Sequence, residues 1–302
     1  MRKALGERMK QQDAYKLLAA FMILIMIIVP VAYVVTSPRS DTTQQVNEQQ
    51  PQFEKYNPDF WVVNHPIYSI SDALKMTPVG AVTASYADIE SMTPQMIQWV
   101  RTQGLPIINE VDSLYKSNTT KMYYTSLHEG ENNSFLLLST MFPERNDFEY
   151  MELPNIYPPI LIRQEQQYNG IYNIMGNPVI FAPPQTSFDV LKIITSQNKT
   201  ATGYDRYEGL LNKTDAAPYQ TITSNVNFSD QFYMGIRETN GNYERTTVYL
   251  NLNSSALKKL NQLKANSTQK GFTDYYLNRS GNYTTVKISS PDMFKVLNEE
   301  VS

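Results

Sequence analysis

The sequence predicts an α+β protein, with a single N-terminal transmembrane helix followed by two mixed α/β extracytoplasmic domains. Three observations predict this class. One apolar stretch is long enough to cross a bilayer, the rest of the chain alternates in strand patterns, and turn signals separate those patterns from short amphipathic helices. The second domain is expected to contain β-hairpin plus helix units with a mostly antiparallel sheet.

The apolar stretch is Leu17–Val35, which contains no charged and no amide side chain. A helix of about this length spans a bilayer core of about 30 Å, and a proline such as Pro30 is tolerated in such helices. A cleaved signal peptide is the alternative, but its apolar region is usually shorter, about 7–15 residues. We therefore predict a cytoplasmic stub over residues 1–16 and a transmembrane helix over residues 17–35.

The charges on the two sides of this stretch predict its direction. Residues 1–36 hold five of the 26 Lys and Arg and two of the 29 Asp and Glu, so residues 37–302 carry a net charge of −6. Cations collect on the cytoplasmic flank of a membrane helix. The localisation predicted is the cell membrane, single-pass, with the N-terminus in the cytoplasm and the C-terminal body outside.

Residues 36–59 are polar and nearly free of aliphatic side chains, which is typical of a linker. The sequence contains no cysteine, so the body has no disulfides and no thiolate metal sites. The acidic body also lacks the block of Lys and Arg that nucleic-acid binding requires.

The first domain is predicted over residues 60–184, and its clearest unit begins at Pro78 and ends at Tyr115. Apolar runs at Val79–Ala84 and Leu105–Val111 are predicted strands, with a helix between them that Thr93 would cap. Strand, helix and strand in this order predict a βαβ unit with at least one parallel strand pair.

Hairpin patterns follow in the chain. The predicted strands are Lys121–Leu127, Phe135–Met141, Ile160–Gln164, Ile171–Met175 and Val179–Phe181. The dipeptide Pro183-Pro184 marks the predicted boundary to the second domain, residues 185–302.

The second domain is predicted to begin with helix Ser187–Thr195, a loop rich in glycosylation signals and strand Tyr219–Val226. Two hairpin-helix units follow, since strand alternation surrounds Asn240-Gly241 and Ser280-Gly281. The first unit comprises strands Phe232–Glu238 and Arg245–Asn251 and helix Ser254–Asn266. The second comprises strands Phe272–Leu277 and Tyr283–Ser289 and helix Pro291–Val301, with Ser290 as its cap.

Gly241-Asn242-Tyr243 recurs forty residues later as Gly281-Asn282-Tyr283. A period near 40 residues can mark a structural repeat. Turn chemistry alone produces the same recurrence, so both interpretations stand.

The acceptor signal for N-glycosylation, Asn-x-Ser/Thr, is more frequent than composition explains. Random placement of 25 Asn and 47 Ser or Thr in 302 residues gives about four signals. The sequence has nine, all in the predicted outer part: Asn118, Asn132, Asn198, Asn212, Asn227, Asn253, Asn266, Asn278 and Asn282. The functional interpretation is that these asparagines carry glycans. The alternative is that a polar composition rich in Asn and Thr produces the signals without any glycosylation. Topology, acceptor signals and absent cysteine together resemble archaeal cell-surface proteins in composition.

Two pairs of carboxylates are the candidate metal ligands: Asp88 with Glu90, and Glu110 with Asp112. Each pair would lie at the carboxyl end of a predicted parallel strand, where ligands commonly bind. Four carboxylates could hold calcium or supply an acid and a base. The alternative is that they are solvated loop charges near a helix N-terminus.

Common catalytic motifs are absent, and His65 and His128 stand alone in the sequence. The leading hypothesis is a membrane-anchored cell-surface protein with a non-catalytic binding or assembly role, whose partners are other envelope or membrane proteins. The alternatives are an anchored extracytoplasmic hydrolase that uses carboxylates, and a ligand-sensing ectodomain.

Overall fold

The computed structural model describes residues 63–129, 132–143, 150–152, 161–163, 170–196 and 200–299. The chain divides into two compact units, Met1–Pro51 and Gln52–Ser302, and all of these residues belong to the second unit. The predicted transmembrane helix and the predicted linker lie outside the described residues. Within the described ranges, no helix is both long and apolar enough to cross a bilayer.

The described part of the chain contains fourteen strands. They are β1 Val63–Asn64, β2 Ala81–Asp88, β3 Asn118–Glu129, β4 Asn132–Phe142, β5 Tyr150–Glu152, β6 Leu161–Arg163, β7 Tyr172–Ile174, β8 Gly176–Asn177, β9 Val179–Ala182, β10 Tyr219–Val226, β11 Ser229–Thr239, β12 Asn242–Leu250, β13 Asp274–Ser280 and β14 Tyr283–Ser290.

Seven α-helices accompany these strands in the same ranges. They are α1 Ile70–Met76, α2 Pro94–Trp99, α3 Ile108–Tyr115, α4 Pro184–Thr195, α5 Gly203–Leu211, α6 Ser254–Ala265 and α7 Met293–Asn298. A 3-10 turn, Ile89–Ser91, precedes α2, and a π-helical turn, Val100–Gly104, follows it.

Twelve strands form one sheet in the order β13-β14-β12-β11-β10-β2-β3-β4-β9-β7-β6-β5, and every neighbouring pair is antiparallel. Strands β1 and β8 form a separate parallel pair. The predicted α+β class with a mostly antiparallel sheet is confirmed.

The sheet joins the two predicted domains, 60–184 and 185–302. Strand β2 of the first pairs with β10 of the second, and Ala84 lies opposite Ile222. Residues 52–302 accordingly form one compact unit. The predicted boundary at Pro183-Pro184 is the start of α4, which packs against β4 and β9.

The sheet carries a hydrophobic layer on each face, because successive side chains of a strand point to opposite sides. In β4, Leu136 and Leu138 lie in one buried cluster and Leu137 lies in the other. Helices α1, α4 and α5 contribute to the first cluster, on face 1, whereas α2, α3, α6 and α7 contribute to the second, on face 2. The sheet is therefore the middle of three layers.

The hairpin-helix order of the C-terminal part is confirmed. Strands β11 and β12 pair around Asn240 and Gly241, whose φ angles of 54° and 78° suit a tight hairpin turn. Strands β13 and β14 pair around Gly281. Helices α6 and α7 follow the two hairpins, as the alternation and the turn residues predicted.

The predicted βαβ unit is wrong. Leu105–Val111 is not a strand, because α3 begins at Ile108, and Ile108, Val111 and Tyr115 are buried along one side of that helix. The apolar run predicted as a strand does not include Tyr115, so it shows too few of the buried positions to indicate helical spacing. The helix between the runs is present as α2, and Thr93 caps it by accepting a hydrogen bond from Met96 N at 3.3 Å.

The predicted loop rich in glycosylation signals contains α5, which buries Tyr207, Leu210 and Leu211. The last helix begins at Met293 rather than at Pro291. Its N-cap is Asp292, not Ser290, since Asp292 Oδ1 accepts a hydrogen bond from Phe294 N at 3.0 Å.

Candidate functional site

The carboxylates of Asp88 and Glu90 lie beside one cation, Lys121. Asp88 ends β2, and the strand register places it opposite Lys121 on β3. Lys121 Nζ lies 2.8 Å from Glu90 Oε2 and 3.6 Å from Asp88 Oδ1. Ser91 Oγ donates a hydrogen bond to Asp88 Oδ2 at 3.0 Å. One ammonium group therefore lies within ion-pair distance of both carboxylates of the first predicted ligand pair.

The protonation of Lys121 reflects this geometry. Burial lowers the pKa of its ammonium group, but the hydrogen bond to Glu90 and the charge of Asp88 outweigh burial, so the pKa lies above its ordinary value. Lys121 stays charged at neutral pH, and its position favours an ion-pair role for both carboxylates.

The second predicted pair lies on helix α3, where residues two apart point in different directions. Asp112 Oδ2 accepts a hydrogen bond from Arg101 Nη1 at 2.6 Å, and Asp112 Oδ1 accepts one from Thr119 N at 2.6 Å. Glu110 lies exposed on the first turn of α3. Asp112 thus joins the helix to the start of β3, and Glu110 does not share its surroundings.

Among the described residues, no group of three or more His, Asp or Glu is placed to hold a metal ion. The prediction placed the four carboxylates at the carboxyl ends of two parallel strands. The second of these strands is absent, because helix α3 occupies its place. Calcium binding stays a prediction, and at Asp88, Glu90 and Asp112 it would have to displace a lysine or an arginine. His65 and His128 are both exposed, and His128 Nδ1 lies 2.8 Å from Asn133 Oδ1.

Lys121 and Arg101 are the residues that sequence reasoning missed. Lys121 is 31 positions from Glu90, and Arg101 is 11 positions from Asp112. No local pattern links such pairs, because strand pairing and the turn after α2 bring them together. Predicting the first pair would have required the strand register, which places Asp88 opposite Lys121.

The glycosylation signals are the second predicted site. Seven of the nine asparagines have described side chains, and all seven are exposed: Asn118, Asn212, Asn227, Asn253, Asn266, Asn278 and Asn282. Asn198 and the side chain of Asn132 lie outside the described part. Exposure is what an oligosaccharide transferase requires of an acceptor in a folded body.

Several acceptor asparagines gather at one end of the sheet, which we call the acceptor end. It comprises the start of β4, the turns after β10 and β13 and the segment after β12, which carry Asn132, Asn227, Asn282 and Asn253 in that order. The register aligns these turns, since Gln231 lies opposite Leu250 and Leu250 lies opposite Tyr283.

Hydrogen bonds connect three of these segments directly. Asn253 Nδ2 donates to Asn227 O at 3.3 Å, and Asn251 N donates to Asn282 O at 2.8 Å. Asn253 Oδ1 also accepts a hydrogen bond from Ala256 N at 2.8 Å, which caps α6. The acceptor end is therefore an ordered surface rather than a set of independent loops.

Comparison with known proteins yields no family. No family model matches the sequence, and no curated protein matches it. Solved structures of TP0453 in crystal forms III, I and IV give TM-scores of 0.43, 0.42 and 0.42 with 11%, 11% and 8% identical residues. Each alignment covers 74% of this chain and 95% of that chain. Values this low carry no functional inference.

Proposed function

We propose that this chain is a membrane-anchored, N-glycosylated cell-surface protein whose body has a binding or assembly role in the envelope. The observation that carries the proposal is the exposure of every acceptor asparagine whose side chain is described. A glycan requires an exposed asparagine, so a buried acceptor would have counted against the proposal. Their excess over about four expected signals adds to this argument.

The charged groups favour binding over carboxylate catalysis. Asp88 and Glu90 share Lys121, and Asp112 is held by Arg101 and a backbone amide. A general acid or base needs a carboxyl group that can exchange its proton with a substrate. Asp88, Glu90 and Asp112 instead hold secondary-structure elements together, and Glu110 lies apart from them on the exposed first turn of α3.

The test uses the full chain with a different epitope tag at each end, produced in a host that N-glycosylates surface proteins. Intact cells are treated with a protease that cannot enter them. We expect the C-terminal tag to be lost and the N-terminal tag to remain on a short membrane fragment. Lysed cells provide the control, because both tags are accessible there.

Two results would contradict the proposal. An N-terminal tag that is missing from the mature protein would show that the apolar stretch is a cleaved signal. A C-terminal tag that survives on intact cells would show that the body is not outside. The binding role is tested by cross-linking on the same cells, where the body should become joined to other envelope proteins and not remain unlinked.

A further inference from the structure

Strand β13 lies at one end of the sheet order, and within the described residues no strand pairs with its outer side. An edge strand offers unpaired N–H and C=O groups to any other extended chain. Seven residues from Asp274 to Ser280 form this edge, so it is as long as a typical strand. Such an edge promotes association unless something covers it.

The side chains of this strand divide between the two faces. Tyr275 and Leu277 pack against the face 2 cluster, so Tyr276, Asn278 and Ser280 project on face 1. In β14 the buried positions also belong to face 2, and the alternate positions are only partly buried. Tyr276 remains 47% exposed. Strand β13 therefore has one covered face and one open face, whereas Tyr283 of β14 packs against the face 1 cluster.

The open face carries an acceptor asparagine. Asn278 is exposed, two positions from Tyr276 on the same face, and Asn278-Arg279-Ser280 is an acceptor sequence. Asn282, in the turn of the same hairpin, is a second exposed acceptor. A glycan on Asn278 would lie beside the Tyr276 ring and along the free edge.

We infer that the glycan on Asn278 shields the β13 edge and Tyr276, and that it prevents two copies of this chain from pairing through β13. The inference rests on the proposed glycosylation and deepens it by assigning a role to one acceptor. Asn278 lies within β13, whereas Asn118 and Asn132 are the first residues of β3 and β4. The acceptors Asn212, Asn227, Asn253, Asn266 and Asn282 lie at helix ends or in turns.

The chemistry of the edge selects a second copy as the chain that would pair. In the antiparallel register that pairs all seven residues, Leu277 lies opposite Leu277 of the second copy. Asp274 then lies opposite Ser280, so no like charges meet. Asn278 lies opposite Tyr276 of the second copy on the same face, and a glycan there would occupy the space of that ring.

The experiment compares full-length variants purified in detergent from a glycosylating host. Asn278→Gln and Ser280→Ala each remove the acceptor at Asn278, and the second keeps the asparagine itself. Asn212→Gln is the matched control, because it removes an exposed acceptor from the end of α5. Light scattering gives the protein mass, and mass spectrometry of glycopeptides gives the occupancy of each asparagine.

We expect the wild type and Asn212→Gln to stay monomeric, and the protein mass of both Asn278-site variants to roughly double. Adding Tyr276→Lys to Ser280→Ala should restore the monomer, since an edge lysine opposes pairing. Monomeric Ser280→Ala that has lost its glycan would overturn the inference. An unmodified Asn278 beside occupied acceptors elsewhere would overturn it too, whereas no occupied acceptor at all would also overturn the proposed glycosylation.

Discussion

At the scale of single residues, Lys121 decides how the predicted acidic site behaves. It lies opposite Asp88 in the sheet and reaches Glu90 in the turn that follows β2. The side chains of Lys121 and Asp88 are only 17% and 19% exposed, so water screens this ion pair less than it would at the surface. Glu90 is 59% exposed, and its ion pair with Lys121 is screened more. Lys121 therefore holds the end of β2 to β3.

Replacing Lys121 with methionine should destabilise the protein by about 1–2 kcal/mol at neutral pH, because Asp88 and Glu90 lose their common cation. Urea denaturation of both proteins measures the difference. Lys75→Met is the control, since Lys75 Nζ lies 4.0 Å from Asp72 and its side chain is 57% exposed. An equal effect in the two variants would contradict the ion-pair role of Lys121.

The tyrosines are core residues as well as surface residues. Five of them are among the largest fully buried side chains: Tyr86, Tyr123, Tyr207, Tyr233 and Tyr249. Burial raises the pKa of each of these phenols, and it raises the pKa of Tyr249 to about 12. An unfolded tyrosine ionises near pH 10.

This difference predicts an alkaline limit to stability. Each buried tyrosine contributes stability that is complete below about pH 10 and is lost above it, by about 1.4 kcal/mol per pH unit. Tyrosinate absorbance should therefore rise together with unfolding, and Tyr249→Phe should reduce the slope. Tyr276→Phe is the control for the substitution itself, because Tyr276 is 47% exposed. Reversible ionisation of every tyrosine near pH 10 in the folded protein would refute this.

At the scale of elements, sequence patterns predicted the hairpins best. One strand register is determined by the alternation of Phe232, Met234 and Ile236 and by the turn at Asn240-Gly241. Strands β11 and β12 pair in that register. Leu105–Val111 was predicted as a strand because the apolar run excludes Tyr115 and shows only part of the helical spacing of α3. The predicted acidic site depended on that strand, so it is not assembled as predicted. Ion pairs between strands that are distant in the sequence produce no local sequence pattern.

The last helix, α7, depends on a contact that no local pattern reveals. Arg245 on β12 is only 6% exposed, and its guanidinium donates hydrogen bonds to Leu297 O at 3.3 Å and to Glu299 O at 2.5 Å. These carbonyls lie at the C-terminal end of α7, where a cation is also favoured by the helix dipole. Arg245 therefore fastens α7 to the sheet.

Arg245→Met should lower the free energy of unfolding by about 3 kcal/mol, because a buried carbonyl of Glu299 and a partly buried carbonyl of Leu297 lose a charged donor. Hydrogen exchange should speed up over Met293–Asn298 in particular. Arg279→Met removes an arginine that is exposed on the edge strand and should change stability by less than about 0.5 kcal/mol. Unchanged exchange in α7 would contradict the fastening role.

At the scale of the whole molecule, one sheet contains strands from both domains that the composition and the Pro183-Pro184 boundary predicted. The order of elements along the chain does not reveal that β2 pairs with β10, because 130 residues separate the end of β2 at Asp88 from the start of β10 at Tyr219. Residues of both parts also share each hydrophobic layer. Such sharing implies that the two parts are stable only together.

The body should therefore unfold in one cooperative transition. Both tryptophans of the sequence, Trp61 and Trp99, belong to the first predicted domain, so tryptophan fluorescence can be compared with far-ultraviolet circular dichroism, which reports on the entire chain. The two urea curves should coincide, and Arg245→Met should shift both by the same amount. Separate midpoints, or a shift confined to circular dichroism, would show two independent domains.

The central claim is that the body stands outside the cell and carries glycans on its exposed asparagines. Mass spectrometry of glycopeptides from the native membrane protein tests it most directly, because N-glycan transfer occurs on the outer side. We predict glycans on several of the seven exposed acceptors, including Asn278 and Asn282. Complete absence of glycan from all seven, with the peptides themselves detected, would contradict the claim.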